Sequence, residues 1–344
     1  MSRTGPPKFA LGNCGRKGTR CAPTERVTTV VDVTYLCNAS CKYCQWGNSS
    51  NPLRRHLALS EILLPAEAIE ALGTERIVLS GGEPRLHPQL PRILSHYRRL
   101  VDSMIVLSNG YELDRQEATR LIRYGASGVT VSLDSVLPEE SMLTRETPPR
   151  VHRRIISNFE DICEQPRKLE LGINVVVTHV TANWRTVRKI LEFGQMLEVD
   201  FVKFQPIFND GYVERNAPYL MLSPSDSSQL LDIGTRLTTI DHPKTNPPGF
   251  WKNVADLAAG KELSPASCGL GPRHSIVVRN NLNVCYWLDS VSFGNTVSKL
   301  ESEQVLAVRR CFESAKLKCN VDFHCFCTQD LTHVWENRTK GGET

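Results

Sequence analysis

Short apolar runs rich in β-branched residues alternate with segments of helical length along the first two-thirds of the chain. TTVVDVTYL (28–36), RIVLS (76–80), SMIVLS (103–108), GVTVSL (128–133), LGINVVVT (171–178) and DFVKFQPI (200–207) each have the length and composition of a buried strand. Between them, 87–99, 114–124, 150–164 and 184–197 carry apolar residues at helical spacing, as Ile155, Ile156, Phe159 and Ile162 do. Strand, helix and strand in succession imply right-handed crossovers between parallel strands. The pattern predicts an α/β fold, a partial (β/α)6 TIM-like barrel with its helices on the outer face. Ligands in such sheets sit beyond the carboxyl ends of the strands, so the chemistry is expected in the loops that follow strands.

Past residue 208 the pattern changes. Polar and Pro-rich stretches (NDGYVERNAPY, SPSDSS, HPKTNPPG) interrupt helical segments at 226–240 and 251–260. The stretch HSIVVRNNLNVCYW then reads as a hairpin turning at Asn280-Asn281, residues that accept the positive φ of a tight turn. The expected organisation is an N-terminal tail (1–26), the partial barrel (27–208), a connecting helical region (209–261) and a small cysteine-rich extension (262–344).

Composition narrows the function classes. With 40% apolar and 23% charged residues the chain is neither disordered nor a coiled coil, and a net charge of +4 spread over its length predicts no nucleic-acid or membrane partner. No apolar run approaches the roughly 18 residues of a membrane span, and the first twenty residues lack the apolar core of a signal peptide. A cytoplasmic location is expected, where thiols stay reduced. The 12 cysteines are then better read as metal ligands or catalytic groups than as a disulfide framework.

They also cluster. Cys37, Cys41 and Cys44 share one loop directly after the first strand, in TYLCNASCKYCQWG. Three thiolates on one short loop can bind three irons of a [4Fe–4S] cluster and leave the fourth iron open to a ligand from outside the chain. A zinc site is the alternative, but zinc usually takes a closed set of four ligands from CxxC pairs. The loop resembles the signature of the radical S-adenosylmethionine (radical SAM) superfamily, including the aromatic residue before the third cysteine, Tyr43. The resemblance extends over roughly 27–207, because LSGGEP (79–84) follows the second strand where that family has its glycine-rich SAM loop. Gly81 and Gly82 let the backbone approach a ligand closely, and Glu83 offers a carboxylate to a cationic amino group. The resemblance implies that these residues bind the methionine part of SAM. Ser108 and Asn109 after the third strand, and Ser132 and Asp134 around the end of the fourth, are similar to positions lining the SAM pocket in that family; such residues also serve as ordinary turn formers.

The resemblance further implies the chemistry. In this family a reduced cluster passes one electron to SAM, releasing methionine and a 5′-deoxyadenosyl radical that abstracts hydrogen from an unactivated carbon. An electron donor such as flavodoxin or ferredoxin is the implied partner. Cys268-x16-Cys285 and Cys319-x5-Cys325-x-Cys327 resemble the SPASM/twitch extensions of such enzymes, implying an auxiliary [4Fe–4S] cluster on four of these five cysteines; zinc on Cys319, His324, Cys325 and Cys327 is the alternative. Among the remaining cysteines, Cys163 and Cys311 read as packing residues and Cys14 and Cys21 as surface thiols. Lys203 and Gln205, alternating with apolar neighbours, are expected to face the barrel mouth, and the basic stretch Arg145 to Arg154 reads as a solvated face. The favoured expectation is oxidation (dehydrogenation) of a sugar-, aminocyclitol- or nucleoside-type intermediate, as in antibiotic biosynthesis. The alternatives are a redox-neutral epimerase, with an unassigned cysteine returning hydrogen, a decarboxylase, or a ribosomal-peptide maturase.

Overall fold

A computed structural model of the protein describes residues 27–48, 50–164, 169–207 and 212–261, together with the backbone of 276–279 and 281–283. The strands are β1 (Val27–Thr34), β2 (Thr74–Gly81), β3 (Ser103–Ser108), β4 (Gly128–Ser132), β5 (Glu170–Val177), β6 (Phe201–Pro206), β7 (Ile276–Arg279) and β8 (Asn281–Asn283). The helices are α1 (Leu59–Ile62), α2 (Ala66–Leu72), α3 (Leu90–Tyr97), α4 (Arg115–Tyr124), α5 (Pro138–Arg145), α6 (Pro149–Cys163), α7 (Trp184–Met196), α8 (Tyr212–Asn216), α9 (Ser227–Arg236) and α10 (Pro248–Ala258).

All six expected strands form one parallel sheet in the order β6-β5-β4-β3-β2-β1, an open partial barrel. β7 adds to the free side of β1, again parallel, with Val30 opposite Val277, and β8 returns antiparallel to β7. The hairpin expected from HSIVVRNNLNVCYW is therefore present, but Asn281 is the first residue of β8 rather than half of the turn.

Alternation along the strands separates two environments. Val31, Val33, Ile77, Leu79, Met104, Val106, Val129, Val131, Ile173, Val175, Val202 and Phe204 join the main core under the helices. This is the outer face. The helices of 209–261 extend that core: Trp251 of α10 is fully buried, with its ring centroid 5.0 Å from that of Phe204. Gly234 of α9 lets it in, since a Cβ there would stand 2.9 Å from the Cβ of Trp251. On the opposite, concave face, Val30, Val78 and Ile105 form a small separate apolar patch. Further along the same face the residues become polar.

The helix starts are set by local chemistry. Asn183 caps α7, its side-chain oxygen accepting from the N–H of Thr186 at 3.0 Å. Asn183→Ala removes this cap, and a loss of about 1 kcal/mol is expected in denaturant unfolding. α2 and α5 are not anticipated from the pattern. In α5 the buried residues are Ser141, Thr144 and Arg145, so its inward face carries no apolar stripe.

Candidate functional site

The loop after β1 folds back on itself to gather its thiols. The N–H of Cys44 donates to the Cys41 carbonyl (3.0 Å), Ala39 N–H points at Cys37 Sγ (3.4 Å), and Tyr35 stacks on Trp46 with centroids 4.3 Å apart. Gly47 is required because a Cβ there would run into the Ala39 carbonyl. Cys41 is buried, and Cys37 and Cys44 are partly buried. Burial pushes the thiol of Cys41 up to about 11 and that of Cys44 to about 12, and raises Cys37 as well; the Arg145 guanidinium pulls all three the other way. Such thiols stay protonated at neutral pH unless a metal displaces the proton. Among the described residues no three His, Cys, Asp or Glu side chains converge on a point that would suit a single ion. As a donor set, three thiols on one loop suit an iron–sulfur cluster with one open iron, whereas zinc usually takes a closed set of four ligands.

The glycine loop lies flat against the start of this cysteine loop. Gly82 N–H donates to the Thr34 carbonyl (2.6 Å) and Glu83 N–H to the Leu36 carbonyl (2.8 Å). Gly81 has φ +116°, and a Cβ on Gly81 or Gly82 would collide with Thr34 or Leu36 backbone respectively. The close approach that the two glycines allow is thus to the backbone leading into the cysteine loop.

Glu83 does not present a free carboxylate. It is 1% exposed, and its oxygens accept from Asn109 N–H (2.7 Å), Ser108 Oγ (3.1 Å) and Arg85 N–H (3.4 Å). Burial pushes its carboxyl above the usual range, and the same donors oppose that shift. Asn109 in turn donates through Nδ2 to Asn38 Oδ1 (2.7 Å) and towards Cys37 Sγ (3.7 Å), while its Oδ1 accepts from Tyr111 N–H (2.9 Å). Glu83, Ser108 and Asn109 therefore brace the glycine loop, the β3 loop and the cysteine loop against one another.

A second buried group lies on the other side of the thiols. Tyr43 Oη donates to Asp134 Oδ2 (2.6 Å) and accepts from Arg145 Nη1 (3.0 Å), and Asp134 Oδ1 takes the Val176 N–H (3.0 Å) with Arg145 Nη1 at 3.7 Å. Asp134 and Tyr43 face inward to each other rather than standing open to a ligand. Arg145 is 5% exposed, which corrects the reading of 145–154 as a wholly solvated face. Burial works against its charge, but the Asp134 carboxylate beside it holds it protonated. Arg54 also reaches the loop, donating to the Cys37 carbonyl at 3.3 Å.

The concave face supplies further polar groups. Ser132 of β4, Asn174 of β5 and Lys203 of β6 are register partners, and Gln205 pairs with Val176. Because Val202 and Phe204 enter the outer core, Lys203 and Gln205 lie on the concave side, as expected, with Lys203 7% exposed. Sequence reasoning missed Asn174, Arg145 and Arg54. Asn174 could have been found as the one polar residue inside the apolar run 173–177. Cys163 packs against the main core. Cys268, Cys285, Cys319, Cys325 and Cys327, together with His324, Cys14, Cys21 and Cys311, lie outside the described residues.

The family profile described as the radical SAM superfamily matches residues 31–194, a span holding both the cysteine and the glycine loop. Those residues carry a radical SAM domain. Enzymes of this superfamily use a [4Fe–4S] cluster and SAM. Among its relatives, the radical SAM chain is 27% identical over 302 residues to human molybdenum cofactor biosynthesis protein 1, matching 80% of this chain and 44% of that one. It thus spans less than half the length of that relative. It is 26% identical over 264 residues to GTP 3′,8-cyclase of Chlorobaculum tepidum, covering 71% of this chain and 76% of the relative. The fold is shared with Streptococcus suis SuiB, solved bound to precursor peptide SuiA, at a TM-score of 0.60 and 13% identity over 85% of this chain and 67% of that one. Among the described residues no helix of this radical SAM protein is long and apolar enough to cross a membrane.

Proposed function

We propose that Cys37, Cys41 and Cys44 hold a [4Fe–4S] cluster and that the protein acts on a nucleoside- or nucleotide-type small molecule in a redox-neutral radical reaction. When bound, the cluster and SAM supply one-electron cleavage of SAM to the radical that abstracts hydrogen. The chain's own residues then position and exclude. Gly81 and Gly82 let their loop seat directly on the start of the cysteine loop, and the brace of Glu83, Ser108 and Asn109 keeps the two in register beside the thiols. The observation that carries the substrate class is the polar row Ser132, Asn174, Lys203 and Gln205 on the concave face. It offers hydroxyl, amide and ammonium groups to a polyol or a phosphate, chemistry an apolar partner would not use.

The relatives support the same class, since those matched along most of their length carry the name GTP 3′,8-cyclase. A ring closure within one molecule, with the abstracted hydrogen replaced by an electron and a proton, conserves mass. The dehydrogenation expected from the sequence is the second reading. It rests on the cysteines between 268 and 327, which suit an auxiliary cluster able to accept a substrate electron. Flavodoxin or ferredoxin is proposed as reductant and the cytoplasm as location.

The test is anaerobic incubation of the iron- and sulfide-reconstituted full chain with SAM, dithionite and each of the four ribonucleoside triphosphates. 5′-Deoxyadenosine should rise with one nucleotide and the new product should have the mass of its substrate. A product two hydrogens lighter selects the oxidative reading. Stimulation by none of them, with stimulation by an aminocyclitol or a peptide, overturns the nucleotide assignment.

A further inference from the structure

We propose that Arg145 is a positioning residue for the cysteine loop and that its buried charge raises the reduction potential of the cluster held there. This rests on the assignment of the cluster to Cys37, Cys41 and Cys44. Three consecutive residues at the end of α5 each grip the two residues that separate Cys41 from Cys44. The Thr144 carbonyl accepts from Lys42 N–H at 3.0 Å, Arg145 Nη1 donates to Tyr43 Oη at 3.0 Å, and Glu146 Oε1 meets Lys42 Nζ at 2.8 Å. Glu146 reaches Lys42 from a left-handed backbone conformation, φ +53°, which non-glycine residues adopt only when the surroundings hold them there.

The grip also fixes a charge. Arg145 is nearly inaccessible to water, so its field is weakly screened. The charged group facing it is Asp134, whose Oδ1 lies 3.7 Å away; Tyr43 is neutral, and the three thiols become anionic only as ligands of the cluster. Asp134 accepts its hydrogen bonds from Tyr43 Oη and Val176 N–H and meets Arg145 only as an ion pair at 3.7 Å. Arg145 reaches the cysteine loop between Cys41 and Cys44 through its 3.0 Å hydrogen bond to Tyr43 Oη. A buried cation held against this loop stabilises the state carrying one more electron. The same guanidinium would serve the reductive step by making the cluster easier to reduce.

The experiment is an EPR-monitored redox titration of the reconstituted full chain, in the absence of SAM, for wild type, Arg145→Lys, Arg145→Gln and the neutral pair Asp134→Asn/Arg145→Gln. Iron content and SAM affinity are measured on the same samples. The midpoint is expected to fall in Arg145→Gln, to remain near wild type in Arg145→Lys and to lie between the two in the neutral pair, which leaves no unpaired carboxylate buried and keeps the test open should the single variant fail to fold. Unchanged midpoints in the glutamine-bearing variants overturn the proposal. So does a loss of SAM affinity at constant midpoint, which would give Arg145 to SAM. A wild type that assembles no cluster on the loop fails at the underlying assignment instead, and is recognised by the missing EPR signal before any variant is compared.

Discussion

Replacing Cys37, Cys41 and Cys44 together by alanine is expected to abolish 5′-deoxyadenosine formation while leaving the barrel folded. The thiols lie on the loop after β1, apart from the apolar residues that join strands to helices, so their loss removes little buried apolar surface. Each Cys→Ala change should cost no more than about 1 kcal/mol, and the far-ultraviolet circular dichroism should be that of wild type. Activity has no such tolerance, because without its three ligands the cluster is not held and no electron reaches SAM. Iron analysis adds a second reading of the same variant. The cysteines from 268 to 327 hold a separate cluster in the proposed assignment, so the wild type should contain about eight irons per chain and the triple variant about four. SAM cleavage surviving in the triple variant overturns the role given to the loop.

Glu83→Ala is expected to destabilise the protein by about 3 kcal/mol, measured by denaturant unfolding of the metal-free chain. The substitution strands three donors at once, Asn109 N–H, Ser108 Oγ and Arg85 N–H, in a place that water does not reach. It also releases Asn109, whose side chain holds Asn38 and Cys37. The effect on the cofactor should therefore follow from loosened loops, in contrast to the direct contact with the SAM amino group expected from the sequence. Glu83→Gln separates the contributions. Burial raises the proton affinity of Glu83, so its share of stability is present below the ordinary glutamate range and is lost as pH climbs through the raised value. The glutamine does not titrate, and that segment should vanish from the pH profile of the variant. An alanine variant within about 0.5 kcal/mol of wild type would return Glu83 to an ordinary turn residue.

The strands were legible because a strand buried on both faces needs an unbroken β-branched run, and RIVLS, SMIVLS and GVTVS have nothing else to be. Where such a strand ends, the chain must turn beside the ligand, so the cysteine and glycine loops could be placed from order alone. α5 was not legible for the converse reason. Ser141, Thr144 and Arg145 face inward at helical spacing, but all three are polar, Thr144 and Arg145 being held by hydrogen bonds, and they leave no hydrophobic period in the sequence. The same blindness explains Arg145 itself: a buried arginine next to a carboxylate and a phenol reads, residue by residue, like the solvated arginines that follow it. Glu83 shows the limit from the other side, since the sequence places its carboxylate in the right loop but does not say which donors claim it.

The pairing of β1 with β7 joins Thr29 to Ile276. During synthesis the first strand leaves the ribosome long before its second neighbour exists, and one row of its amides and carbonyls must wait through the making of the whole barrel. Contacts so distant along the chain are closed late and slowly. A nascent chain stalled before residue 276 would expose a bare sheet edge along Thr29–Val31, a surface on which copies of the same chain could add strand to strand. Translation and sheet closure are thereby coupled, and the outer edge of the first strand is the last row of the sheet to find its partner.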